Sequence, residues 1–117
     1  MKKMYHLKTC STCARIIRDL VLPSDCQLQD IKSDPITEKQ LDQLKEMAGT
    51  YEALFSKKAI KYRKWKLSEK NLTEKDFRSY ILEEYTFLKR PVIVIEQDIF
   101  IGNSKDMIKA ANTTLHA

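Results

Sequence analysis

The sequence predicts an α/β domain: a mixed four-stranded sheet flanked by helices, with a helical insertion in the middle of the chain. Three observations predict it. Short β-type segments lie near both ends of the chain, with the central stretch helical in pattern. A strand–helix–strand order at the N-terminus requires a right-handed crossover and therefore a parallel pair. Near the C-terminus, Val92-Ile93-Val94-Ile95 is an all-β-branched run of the kind found in a buried strand, and Ile99-Phe100-Ile101 follows across a short turn.

Each element has a local cause. Met4–Leu7 is expected as the first strand, and residues 13–22 as a helix with Ile16, Ile17, Leu20 and Val21 on one face, stopped by Pro23. Residues 26–31 alternate Cys26 and Leu28 with glutamines, which predicts a second strand with those two residues inward. Ser33-Asp34-Pro35 turns the chain. Thr37 and Gln40 resemble a capping box, and the helix they open buries Leu41, Leu44 and Met47 before ending at Gly49. Tyr51–Phe55 is expected as a helical turn. Thr73 is a good N-cap for a helix carrying Phe77, Tyr80, Ile81 and Tyr85. Glu96-Gln97-Asp98 joins the last two strands as a hairpin, and Gly102-Asn103-Ser104 leads into a final helix with Met107, Ile108 and Ala111 inward. The order β-α-β, helices, β-β-α is that of the thioredoxin fold. The expected organisation is one domain over 1–117, with the insertion at about 37–88.

Composition narrows the function classes. The chain has 117 residues, 43% hydrophobic and 32% charged, with two glycines and three prolines, which describes an ordered domain. No apolar run approaches the ~20 residues that span a bilayer, and the N-terminal Met-Lys-Lys-Met-Tyr-His-Leu lacks the features of a signal peptide. Three cysteines are too few for a disulfide scaffold, so a reducing, cytoplasmic setting is expected. The net charge of +5 is concentrated: between Lys57 and Lys70 seven cations face the single carboxylate of Glu69, and the rest of the chain is near neutral. Such a stripe suits an anion, an acidic protein face or simply solvent.

The chemistry centres on Cys10-Ser-Thr-Cys13, where the first strand gives way to a helix. This spacing puts two thiols one helical turn apart. The helix N-terminus supplies free N–H groups and a partial positive charge that favour a thiolate. Cys10 and Cys13 are thus candidates for reversible disulfide chemistry. A Cys₃His zinc site from His6, Cys10, Cys13 and Cys26 is the main rival, though no second CxxC supports it. Cys26 reads as a small buried hydrophobe.

Tyr5-His6 with Cys10 four residues on, Thr12, and Leu88-Lys89-Arg90-Pro91-Val92-Ile93-Val94 together resemble the arsenate reductase family of the thioredoxin fold, which also holds the Spx-type transcriptional regulators. Lys57-Lys58-Ala59-Ile60-Lys61-Tyr62-Arg63-Lys64 resembles the family's mid-chain segment, with lysine where an arginine is common. The resemblance spans essentially the whole chain. It implies that Cys10 is the nucleophile, His6 a histidine that helps hold the thiol ionised, and Arg90 one arginine of an oxyanion site. Lys58 takes the place of a second arginine. Arg15 lies one position after a third basic site, now Ala14, and Ile101-Gly102-Asn103-Ser104 offers no further arginine. Cys13 stands where the Spx-type proteins carry the second cysteine of a redox switch. Pro91 corresponds to the fold's cis-proline.

The resemblance further implies a small oxyanion such as arsenate, or a glutathione mixed disulfide, as substrate. The reductant would be glutathione with a glutaredoxin-like protein, or thioredoxin, with no bound cofactor or metal. Gly49-Thr50-Tyr51-Glu52 resembles the stretch by which Spx-type regulators engage RNA polymerase, so a non-catalytic redox regulator is the alternative. Neither membrane association nor direct DNA binding is expected.

Overall fold

A computed structural model describes residues 1–117, and its chain divides into two compact units, Met1–Asp34 with Arg90–Ala117, and Pro35–Lys89. The first unit carries the sheet. Strand β1 (Lys2–His6) runs parallel to β2 (Gln27–Asp30) through helix α1 (Ser11–Leu20). It runs antiparallel to β3 (Val92–Ile95), which forms a hairpin with β4 (Asp98–Ile101), giving the order β2-β1-β3-β4. The C-terminal helix (Lys105–Leu115) opens with the Ser104 hydroxyl accepting from the Met107 N–H at 3.1 Å. The sheet is mixed and four-stranded, as the sequence predicts.

Met4, Ile16, Leu20, Ile93, Ile95 and Ala111 form the core of this unit, with Ile17, Cys26, Phe100 and Ile108 packed around them. Every residue of β3 is buried, which is the environment its β-branched run calls for. One expectation is reversed in β2. Leu28 is 51% exposed and Gln29 is buried. Gln29 is tolerated inside because its side-chain Nε2 donates to the Asp34 carbonyl at 3.0 Å, so no buried amide is left unpaired there. Helix α1 also starts two residues earlier than its apolar periodicity suggests, because Cys10 acts as its N-cap, and it ends at Leu20 with Val21 in the left-handed region.

The second unit is helical. Helix α2 (Glu38–Ala48) begins with the capping box of Thr37 and Gln40 and ends at Gly49, whose φ of 96° suits a residue without Cβ. A 3₁₀ turn (Glu52–Leu54), a short helix α3 (Ile60–Lys64) and a second 3₁₀ turn (Leu67–Glu69) lead to α4 (Glu74–Glu83). Thr73 caps α4, and Asp76 completes a second capping box. Tyr85 falls outside α4, in a 3₁₀ turn (Tyr85–Phe87). That turn carries Phe87 into the centre of an aromatic cluster, 5.0 Å from the Phe55 ring and 5.6 Å from that of Trp65. In sequence order, the C-terminal helix is α5.

Candidate redox site

The site is built at the carboxyl end of β1, within the sheet-bearing unit. Tyr5 pairs with Val92, so antiparallel geometry brings the Arg90-Pro91 peptide, which is cis, to the level of His6. The chain leaves β1 at His6, passes Leu7, Lys8 and Thr9, and enters α1 at its N-cap, Cys10. The Cys10 N–H donates back to the Leu7 carbonyl at 2.9 Å, and the Ala14 N–H donates to the Cys10 carbonyl at 3.1 Å. Cys10 is half-buried and Cys13, one turn later, is only 1% exposed; both are free thiols.

Their electrostatics diverge. Partial burial opposes ionisation of Cys10. The Cys13 N–H, the Cys13 thiol, the Thr12 N–H and the Arg90 charge outweigh that burial and hold Cys10 below the ordinary cysteine range. The sulfur makes no formal capping hydrogen bond, so these amides act as oriented dipoles facing it. Cys13 is shifted the other way. Burial pushes it up, the Leu7 N–H offsets part of this, and the neighbouring Cys10 sulfur adds to the rise. One turn of helix therefore holds a thiolate-prone sulfur outside and a protonated one inside.

His6 lies at the carboxyl end of β1, paired with Asp30 of β2. It is 8% exposed, and burial lowers its pKa against the pull of the Asp30 carboxylate. The ring is thus neutral near pH 7 and supplies no positive charge to Cys10; Arg90 supplies that charge. His6 Nδ1 and Arg90 Nη1 are both buried without a hydrogen-bond partner. Buried polar atoms are seldom left unpaired, and both belong to residues at this end of the sheet.

Arg15 is exposed on α1, and Lys58 is exposed in the turn before α3, in the helical unit. Of the basic stripe, Lys57 pairs with Glu52 at 2.8 Å and Lys61 pairs with Glu84. Lys58, Arg63, Lys64 and Lys66 stay exposed. The interleaved aromatics turn inward, Tyr62 against Phe55 and Trp65 against Phe87 and Tyr80.

No group of three or more His, Cys, Asp or Glu side chains converges into a metal site. Cys26 lies at the far end of β2: Gln27 pairs with Lys3 and Asp30 with His6. Three steps of roughly 3.3 Å, about 10 Å of strand, separate those two levels of the sheet, and Cys26 lies one residue farther still. The residue missed in the sequence is Asp30. Its position at the end of a strand was visible, but not the loop amide it would meet.

Gly49-Thr50-Tyr51-Glu52 has a local explanation. The Glu74 carboxylate accepts from the Tyr51 and Glu52 N–H groups at 2.6 and 3.1 Å, and the Thr50 hydroxyl accepts from the Ala53 N–H at 3.1 Å.

The profile of the ArsC family matches residues 5–111 of the chain. No curated protein matches it. Among solved structures, the YFFB protein superposes with a TM-score of 0.80 at 18% identity, over 98% of this chain and 99% of that one. An arsenate reductase from Vibrio cholerae gives 0.76 at 16% identity, over 93% and 95%. An arsenate reductase (ArsC) related protein from Brucella melitensis gives 0.69 at 23% identity, over 93% and 92%. At these identities the likeness is one of fold.

Proposed function

This chain belongs to the ArsC family, and on that premise we propose that it is a thiol–disulfide oxidoreductase in which Cys10 attacks and Cys13 resolves. The observation that carries the reading is the opposed shift of the two thiols, Cys10 down and Cys13 up, within one turn of α1. A thiolate is the nucleophile in such exchange, and the proton on the second sulfur keeps it waiting.

With a glutathione mixed disulfide as substrate, the Cys10 thiolate attacks the glutathione sulfur and expels the other thiol as its thiolate. Cys13 then loses its proton and attacks the Cys10 sulfur, releasing glutathione and leaving a Cys10–Cys13 disulfide. Two electrons pass to the substrate, and an external dithiol returns them. Arg90, with a buried Nη1 still unpaired, is suited to a carboxylate or oxyanion. Arsenate is the other substrate proposed, with glutathione and a glutaredoxin-like protein, or thioredoxin, as reductant, in the cytoplasm. No helix is long and apolar enough to cross a membrane.

An assay of arsenate and glutathione mixed disulfides with each reductant tests this. Turnover lost in Cys10→Ser supports the enzyme. Absence of turnover, together with saturable binding to RNA polymerase, would favour the Spx-type regulator instead.

A further inference from the structure

We infer that Asp30 is a positioning residue for the Cys10 loop, tying the end of β2 to the segment that aims the nucleophile. The inference deepens the reading of Cys10 as the attacking thiolate and rests on it. Asp30 Oδ1 accepts the Lys8 N–H at 3.1 Å and the Lys32 N–H at 3.4 Å, while Oδ2 accepts the Ser33 hydroxyl at 3.0 Å. The neighbouring backbone locks the same corner, with the Ile31 N–H donating to the His6 carbonyl at 3.0 Å.

Lys8 lies in the three-residue link between β1 and the N-cap. Its neighbour Leu7 makes one contact to each cysteine. The Leu7 carbonyl accepts the Cys10 N–H, and the Leu7 N–H faces the Cys13 sulfur. Fixing the Lys8 amide therefore fixes the Leu7–Lys8 peptide, whose carbonyl holds the Cys10 N–H, and through it restrains the Leu7 N–H that faces Cys13. The bonds to Lys32 and Ser33 are local to an Asx turn, but the one from Lys8 reaches across 22 residues of sequence, and charge-assisted bonds of this kind are the strong ones.

Charge and position make opposite predictions here. Asp30 is an anion at the same end of the sheet as a thiolate, so by Coulomb's law alone its removal would ease Cys10 ionisation. As a clamp, its removal lets the loop drift, misaligns the Thr12 and Cys13 amides and makes ionisation harder. The charged and titratable groups acting around these two sites are Arg90 and Cys13 on Cys10, and His6 on Asp30.

The test is the pH midpoint of Cys10 alkylation, read beside Lys8 amide exchange and the thermal midpoint. The proteins compared are the parent, Asp30→Ala, Asp30→Asn and Ser33→Ala. Asp30→Ala should raise the alkylation midpoint and speed Lys8 exchange by about tenfold, as expected for a freed local segment. Asp30→Asn keeps an acceptor oxygen for Lys8 and should neither raise the midpoint nor speed Lys8 exchange. Should Asp30→Ala fail to fold, Ser33→Ala, which loosens one side of the clamp, must move the midpoint upward by less. A midpoint that falls in Asp30→Ala would assign Asp30 a charge effect and overturn the clamp. So would a depressed parent midpoint unmoved by Asp30→Ala or, should that variant not fold, by Ser33→Ala. A parent midpoint at the free-cysteine value would instead overturn the nucleophile reading and the clamp with it.

Discussion

Arg78 holds Asp42 in a two-point hydrogen bond, Nε donating to Oδ1 at 2.9 Å and Nη2 to Oδ2 at 3.2 Å, across 36 residues of sequence. The Tyr51 hydroxyl donates to the same Oδ1 at 2.5 Å. The network joins α2, α4 and the segment after Gly49, and fixes the helical unit from within. Arg78 first, and Tyr51 next, hold the Asp42 carboxyl at about 2.

The pH dependence follows with its sign. The folded pKa lies below the unfolded value of ~3.9, so the network stabilises the protein fully above that value. The contribution is lost as pH falls through about 2. Asp42→Asn should lower the thermal midpoint near neutrality. The gap from the parent should close between about pH 4 and pH 2 in a melting series. A gap that widens on acidification would contradict the assignment. The effect should be modest, since both side chains are partly exposed.

Phe87 tests the aromatic cluster. It is fully buried against Phe55, Trp65 and Tyr80. Phe87→Ala should cost about 3–5 kcal/mol in denaturant unfolding. A loss under about 1 kcal/mol would mean that the cluster repacks around the gap.

Mild peroxide should convert Cys10 through a sulfenic acid to a Cys10–Cys13 disulfide, leaving Cys26 reduced. Cys26 sits at the opposite end of the β1–β2 pair, beyond the Cα separation of about 7 Å that a disulfide allows. Cys13→Ser should accumulate mixed disulfides or over-oxidised Cys10, and Cys26→Ala should oxidise like the parent. Peptide mapping decides it, because a Cys10–Cys26 linkage gives a different fragment.

Arg90 should matter twice. Its charge lowers Cys10, so Arg90→Ala should raise the alkylation midpoint. If it also holds the anion, sulfate should protect the parent from an anionic alkylating agent and fail to protect Arg90→Ala. Lys58→Ala and Arg15→Ala test the roles proposed for those two by resemblance. Protection kept in all three variants would place the anion elsewhere or reduce it to screening.

The sequence by itself determined whatever depends on residues within a turn of one another. Thr37 with Gln40 and Thr73 both cap helices, Gly49 closes one, Val92–Ile95 is a buried strand, and the two thiols open α1. Those signals are short-range: a side chain meeting an amide three residues on, or a branched chain filling a pleat. Tertiary structure decided what depends on partners far along the chain. Gln29 turned inward and Leu28 outward, although alternation predicted the reverse, because β2 borders only β1 and the Asp34 carbonyl could satisfy the amide. Burial lowers the His6 pKa, which no spacing reveals. Asp30 became a clamp only when the parallel crossover set the end of β2 beside the Lys8 amide.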